Sequence, residues 1–517
     1  MSTVNITIDG QPVELAQGQS VLEGARKIGI DIPTLCHLEQ CGPLTTCLVC
    51  LVKINGKLVP SCGTKAAPGM VVESETEEVH DARRTALELL FSDHVGDCLS
   101  PCQRLCPLQL NIPVMIRQIA DGQLGEAVAT VRQALPLPAV LGRLCNHPCE
   151  QGCRRGALDA AADIRGLERF IADHDLRLSA PYLAPCRTAT GKTAAVVGAG
   201  PAGLAAAYYL TLLGHSVTVY DRHDRAGGSL RAVPEADLAR EVLDAEITQM
   251  ERLGIEILHN SELGTHIALA DLRRDYGAVL LAVGEKAKTE GDKLGVVVAA
   301  SGIKTDANTA QTNVEGVFAT GAAVKPLKQI IRAMTEGKGA AECVHRFLMG
   351  ERPARSDKPF SSIMGKLDAS ELKEFLKGVS GENRHTPCDA CLGFSGAEAT
   401  GEAARCLHCD CRSVGQCAFQ HYAQVYNADA SRFRGERQAF EQQIQPGGVI
   451  FEPGKCIRCG ICVKLTEAAA EPLGLTFIGR GFNVTIATPF NRSVEEGLQK
   501  TAAECIKHCP TGALEWR

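Results

Sequence analysis

Twenty-four cysteines sit in this 517-residue chain, and 22 of them gather into five packets, at 36 to 62, 98 to 106, 145 to 153, 388 to 417 and 456 to 509. Only Cys186 and Cys343 stand alone, and each reads as a small buried apolar residue. Packets this dense must be disulfide frameworks or metal ligands. The start, MSTVNITIDGQPVEL, lacks the basic-then-apolar layout of a signal peptide, and no apolar run approaches the ~18 residues of a membrane span. A cytoplasmic location is therefore expected, where thiol pools keep disulfides reduced, and the packets read as a chain of redox centres. A net charge of -6 leaves no electrostatic footprint for nucleic acid.

Around the first packet, NITIDG and QPVELA read as a hairpin, SVLEGARKIG as an amphipathic helix, and LVKINGKLVPS as two strands joined by an Asn55-Gly56 turn. A small sheet grasping a helix is expected. Within it, Cys36-x10-Cys47-x2-Cys50-x11-Cys62 puts three thiolates on one loop and a fourth after a hairpin, a layout that encloses a two-iron cluster. Zinc also accepts four thiolates, although zinc ribbons usually pair two CxxC units. Cys41 is the surplus thiol and the alternative to Cys36. The spacing resembles the 2Fe-2S domain that opens the iron-sulfur subunit of respiratory complex I and its hydrogenase and formate dehydrogenase relatives. That resemblance extends through RRTALELLFSDHVGDC and implies that His94, ahead of Cys98, ligates a 4Fe-4S cluster; without it, His94 reads as a helix-end residue.

From Cys98 onward, PCQRLCPLQLNIPV, GRLCNHPCEQGCRRG and DIRGLERF resemble the small subunit of glutamate synthase, dihydropyrimidine dehydrogenase and the ferredoxin-NADP transhydrogenases. The resemblance implies a helical domain with two 4Fe-4S clusters. Six thiolates are present where eight ligands are needed, and the family places a carboxylate or amide where Glu168 stands. A hard oxygen ligand would tune the cluster's potential. The implied grouping is His94, Cys98, Cys102 and Cys153 on one cluster, with Cys106, Cys145, Cys149 and Glu168 on the other. Without the resemblance, Glu168 reads as part of a solvated helix face.

TGKTAAVVGAGPAGLAAAYYLTLLGHSVTVYDR is a strand, a glycine-rich turn, a helix and a second strand ending in an acid. Gly198 permits the tight turn, Gly200 lets the backbone approach a pyrophosphate beside Pro201 and Ala202, and Gly203 lets helix and sheet pack closely. Asp221, followed by Arg222, is placed to accept hydrogen bonds from a ribose. DRAGGSLRAVP, with Gly228 and Arg231, resembles the double-glycine segment of FAD-binding relatives, and VLLAVG and GVFATG, with Gly284 and Gly321, resemble their later strand ends. FAD is the expected cofactor. Ala322 departs from the pattern, because such flavoproteins often carry Asp there. Only 31 residues separate Gly284 from Gly316, too few for the family's NADPH-binding domain, whose βαβ units need about 30 residues each.

CDAC and ARCLHCDCRSVGQC supply Cys388, Cys391, Cys406, Cys409, Cys411 and Cys417, a set that fits a cluster or zinc. KCIRCGICVKLT and CIKHCPTGAL supply Cys456, Cys459, Cys462 and Cys509, the ferredoxin pattern of a 4Fe-4S cluster, with Cys505 left over. LTFIGRGFNVTIATPFN between them reads as a strand pair.

The expected architecture is multidomain, α/β and α+β: a β-grasp 2Fe-2S ferredoxin domain at 1–78, a helical dicluster 4Fe-4S domain at 79–185, an FAD-binding Rossmann-like domain without NADPH insertion at 186–352, a linker and Cys-rich segment at 353–440, and a ferredoxin-like 4Fe-4S domain at 441–517. FAD, one 2Fe-2S cluster and three or four 4Fe-4S clusters are expected, with zinc as the alternative at 388–417. The resemblances imply an electron-transfer subunit whose partners are a catalytic subunit of formate dehydrogenase, hydrogenase or aldehyde oxidoreductase type, NAD(P)-binding diaphorase subunits, or ferredoxin. The alternative is a self-standing FAD-dependent reductase.

Overall fold

The computed structural model describes residues 2–289, 291–356 and 358–517. The five expected segments gather into two compact units, because the carboxyl-terminal packets do not stand apart. The first unit comprises 1–100, 359–378 and 408–517; the second comprises 101–358 and 379–407. The Cys-rich segment is thus divided, with Cys388, Cys391 and Cys406 in the second unit and Cys411 and Cys417 in the first. Among the described residues no helix is long and apolar enough to cross a membrane.

The first unit opens on a five-stranded sheet formed by β1 (Thr3–Ile8), β2 (Gln11–Ala16), β3 (Leu51–Ile54), β4 (Lys57–Pro60) and β5 (Val71–Glu73), in the order β2-β1-β5-β3-β4. Alternation sets its inner face: Val4, Ile6, Ile8, Val13 and Leu15 are buried. Asn55 and Gly56 take φ of 48° and 83°, the left-handed pair that a tight hairpin requires, as the Asn-Gly dipeptide foretells. Helix α1 (Val21–Lys27) lies in the grasp of the sheet, started by a capping box in which Ser20 and Glu23 satisfy each other's backbone N–H groups. Helix α2 (Glu77–Phe91) follows, and Phe91 stacks on Phe419 with ring centroids 3.9 Å apart. At the carboxyl end, strands Val449–Phe451 and Leu514–Trp516 pair antiparallel, and Thr476–Ile478 pairs with Thr485–Ala487 as the expected strand pair.

The second unit begins with helices α3 (Ile112–Ala120), α4 (Leu124–Ala134), α5 (Pro138–Leu144) and α6 (Ile164–Arg177). Their apolar faces share one core with the nucleotide-binding part, whose strands β6 (Thr193–Val197), β7 (Ser216–Tyr220), β8 (Glu256–Leu258), β9 (Ala278–Leu281) and β10 (Val317–Ala319) form a parallel sheet in the order β8-β7-β6-β9-β10. Helix α7 (Pro201–Leu212) is apolar on all sides and buried throughout, packed against α8 (Ile330–Leu348). Between β9 and β10 the described residues hold two short helical turns, Gly284–Lys288 and Gly291–Leu294, and a small hairpin, Val298–Ala299 against Gly302–Ile303, with no second nucleotide domain among them.

Candidate functional site

In the first unit the structure brings Cys36, Cys47, Cys50 and Cys62 together, all buried. Cys50 and Cys62 have sulfurs 3.4 Å apart. Hydrogen bonds from Cys47, then Cys62, hold the Cys36 thiol well below its usual range. Cys41, the alternative to Cys36, instead faces Lys464. Cys456, Cys459, Cys462 and Cys509 line one small cavity with Cys505 at its wall. Burial, then the nearby Cys509 sulfur, pushes the Cys456 thiol up to about 12, so four thiolates here require a cationic centre to hold them ionised.

A third group forms where α2 ends. Cys98 accepts the Cys411 backbone N–H at its carbonyl, 3.2 Å away, and both Cys98 and Cys411 bear electrostatically on Cys417. His94, four residues before Cys98, is half-buried between Phe91 and Phe419. Desolvation, then Lys455, drives its pKa down to about 4, so the ring is neutral, the form that binds metal. Its Nδ1 is buried with no hydrogen-bond partner, as a ligand nitrogen would be before metal arrives. A Cβ on Gly512 would stand 2.3 Å from the Cys411 sulfur, so only glycine leaves that thiol its place. No motif or spacing points to Gly512 or to Lys455, whose buried ammonium bonds Glu452 at 2.5 Å.

The second unit holds Cys106, Cys145, Cys149 and Glu168 around one cavity, closed by Ile112, Leu141 and Ile331. Glu168 is not on a solvated face: it is 8% exposed, its Oε1 has no partner, and desolvation pushes its pKa up to about 8. A lone buried carboxylate among three thiols is costly unless a cation is held there, which fits the donor set of an iron-sulfur cluster. Cys102 and Cys153 pack on the same core, while Cys388 and Cys391 are exposed; of the two solitary cysteines Cys343 is buried, and Cys186, expected to be buried, is exposed. Among the described residues no three His, Cys, Asp or Glu side chains converge as a single metal ion requires. Cysteines around a cluster stand apart, about an inorganic core, rather than on one point.

A cavity of 570 Å³ opens at the carboxyl ends of β6, β7 and β9. Gly198, Gly200, Pro201, Ala202, Asp221, Arg222, Gly228, Gly284 and Ala322 line it. Gly198 has φ of 109°, and a Cβ there would meet the Ala282 carbonyl oxygen at 2.4 Å; a Cβ on Gly203 would meet the Gly198 oxygen at 1.8 Å. The turn is therefore built on missing side chains, which brings backbone N–H groups up to the cavity. Asp221 accepts the Ala199 N–H at 2.6 Å and the His223 N–H at 2.8 Å, and a carboxylate has further lone pairs to offer a ribose. These features fit an adenine dinucleotide. Gly203 and Gly321 act through packing rather than by lining the cavity. Arg231, expected at the cofactor, bonds Asp244 and the Ala226 carbonyl.

Three family profiles match the chain: a 2Fe-2S iron-sulfur cluster binding domain over residues 1–77, dihydropyrimidine dehydrogenase domain II with its 4Fe-4S cluster over 74–179, and pyridine nucleotide-disulphide oxidoreductase over 156–337. Among curated relatives, the NADP(+)-dependent formate dehydrogenase subunit beta of Moorella thermoacetica is 39% identical over 36% of this chain and 29% of its own length. The NAD-dependent dihydropyrimidine dehydrogenase subunit PreT of Salmonella typhimurium is 37% identical over 38% of this chain and 49% of its own. The glutamate synthase [NADPH] small chain of Mycobacterium tuberculosis is 39% identical over 38% of this chain and 40% of its own. The chain thus matches less than half the length of each. It carries iron-sulfur domains joined to an oxidoreductase domain of the pyridine nucleotide-disulphide type, in agreement with the resemblances read from the motifs.

Proposed function

We propose that this chain is the electron-relay subunit of a cytoplasmic multi-subunit oxidoreductase, passing electrons between FAD, iron-sulfur clusters and a partner that holds the substrate site. The observation that carries the reading is the first turn of α8: Ile331 closes the cavity of Cys106, Cys145, Cys149 and Glu168, and its neighbour Ile330 lines the nucleotide cavity. A cluster pocket and a flavin pocket thus share one helical turn. When bound, FAD converts between one-electron and two-electron chemistry, which a chain of clusters cannot do alone. The residues supply the rest. The Gly198 turn and the start of α7 receive the pyrophosphate, Asp221 orients the ribose, and Arg222 and Lys286 offer positive charge at the cavity.

In this reading the first unit holds one 2Fe-2S cluster on Cys36, Cys47, Cys50 and Cys62, one 4Fe-4S cluster on Cys456, Cys459, Cys462 and Cys509 in a ferredoxin-like carboxyl-terminal part, and one on His94, Cys98, Cys411 and Cys417. The last grouping replaces the sequence-based one, in which Cys102 and Cys153 accompanied His94. The partners are a catalytic subunit of the kind that the relatives' names suggest, NAD(P)-binding diaphorase subunits, or ferredoxin. The short β9–β10 connection supports a flavin that receives its electrons from clusters or from a partner.

The test is anaerobic reduction of the purified chain. Reduced ferredoxin or a copurified partner is expected to bleach the flavin, and NADH or NADPH alone to leave it oxidised. Rapid bleaching by a nicotinamide alone would replace the relay with a self-standing reductase.

A further inference from the structure

We infer that Cys406 is a ligand of the same iron-sulfur cluster as Cys102 and Cys153, so that a carboxyl-terminal cysteine completes the helical module. The inference rests on the reading of that module as a cluster holder.

Cys106, Cys145, Cys149 and Glu168 share one cavity, and Cys98 belongs to the first unit with His94, Cys411 and Cys417. Cys102 and Cys153 are left as half a donor set. They lie side by side: a Cβ on Gly152, next to Cys153, would meet Leu105 at 2.5 Å and the carbonyl oxygen of Pro101, next to Cys102, at 3.3 Å.

A buried ionic lattice fastens Cys406 to this place. Arg155, two residues past Cys153, donates to the carbonyl oxygens of Arg405 at 3.1 Å and Ser380 at 2.8 Å, and pairs with Asp159 at 2.6 Å. Arg405, fully buried and adjacent to Cys406, pairs with Glu402 at 2.7 Å and Asp159 at 3.1 Å. Glu402 also accepts the backbone N–H groups of Asp163, at 2.7 Å, and His385, at 2.8 Å. Burying two guanidinium groups and a carboxylate is a poor route to stability, and such lattices are best attested as devices that fix register. What this one fixes is the segment at Cys406 against the segment at Cys153. Cys102, Cys153 and Cys406 are all half-buried against one core, whereas Cys388 and Cys391, from the same packet as Cys406, are exposed. Three soft donors brought together beside two cations suit an anionic cluster.

The test uses the full chain, purified anaerobically, with iron, acid-labile sulfide and the electron paramagnetic resonance of the reduced protein as readouts. Cys406→Ala and Cys102→Ala should each lose one cubane's worth of iron and sulfide and the same resonance, and the double variant should lose no more than either. Cys391→Ala should keep the full set. If the alanine variants do not fold, Cys406→Ser and Cys102→Ser, which keep an oxygen donor, should alter one and the same resonance. A Cys406 variant with wild-type iron and spectrum, or a double variant that loses two clusters, overturns the inference while leaving the relay intact. A wild-type chain without sulfide would instead remove the reading beneath it.

Discussion

The Thr46 hydroxyl donates to the carbonyl oxygen of Cys459 across 3.2 Å, and the same side chain bears on the Cys36 sulfur after Cys47 and Cys62. One residue therefore touches two thiol groups that the chain places more than 400 positions apart. On the other side of the carboxyl-terminal group, Cys417 lies 3.6 Å from the carbonyl oxygen of Pro510, the neighbour of Cys509. The three groups of the first unit are thus linked in a row, which is what a relay needs and a set of independent structural metals does not.

Thr46→Val keeps the shape and removes the hydroxyl. Hydrogen bonds to cluster sulfurs raise the reduction potential, because they stabilise the more negative reduced state. One neutral bond contributes about 1 kcal/mol, or on the order of 40 mV for one electron. The 2Fe-2S potential is expected to fall by no more than that amount in a titration followed by electron paramagnetic resonance, because the hydroxyl's single proton is shared with the Cys459 carbonyl, and the signals of the second unit should not move. An unchanged potential would mean that the hydroxyl serves only the Cys459 carbonyl.

Lys455 is buried beside Cys411, and although burial opposes its charge, Cys411 and Glu452 more than offset that and keep it protonated. A fixed cation near a cluster favours the reduced form. Lys455→Met should lower the potential of the His94 cluster, by on the order of 100 mV at the effective dielectric of a protein interior. It should also destabilise the chain by about 3–5 kcal/mol, since Glu452 is left buried and unpaired. Lys455→Met with Glu452→Gln separates the two effects: stability returns, and the potential stays low, because Lys455 acts on Cys411 more strongly than Glu452 does.

Gly203→Ala places a methyl where the Gly198 carbonyl stands, at 1.8 Å, and must open the turn that faces the pyrophosphate. Flavin released per chain on denaturation should fall to a small fraction of the wild-type value. Arg231→Ala, which removes a side chain committed to Asp244, should keep its flavin. Equal flavin loss in both would move the cofactor from this cavity.

Much of this was legible in the sequence, for local reasons. The hairpin turn at Asn55-Gly56, the glycines of the β6–α7 turn and the strand pair at 476–487 follow from short-range sterics and alternation, and a linear reading captures them. Cys36, Cys47, Cys50 and Cys62 were also legible, because their spacing closes within one small sheet. The neighbours of Cys98 were not. Cys98 is nearer to Cys102 in sequence, and no periodicity records that the chain returns after a whole nucleotide-binding domain to set Cys411 beside Cys98. Nor does the pattern announce Arg405, since a charged residue in a cysteine packet reads as surface until its buried partners Glu402 and Asp159 are known.

His215, buried, and His345, half-buried, form a pair, with Nε2 of the first 2.8 Å from Nδ1 of the second and Thr190 bonded to the other ring nitrogen of His215. Desolvation, then the neighbouring His345, lowers the His215 pKa to about 4, and desolvation, then Arg187, lowers that of His345. A bond between two imidazoles has one bridging proton, so a further proton on either ring places like charges in contact. Below the ordinary histidine value of 6.5 the unfolded chain takes up protons that the folded chain refuses, so stability is full above about pH 6.5 and falls as pH drops toward 4. The apparent Tm of the wild type should therefore decline more steeply between pH 7 and pH 5 than that of a His215→Gln, His345→Gln double variant, which has no ring to protonate. Parallel declines would show that the pair is already charged at neutral pH, or that the acid sensitivity lies with other groups.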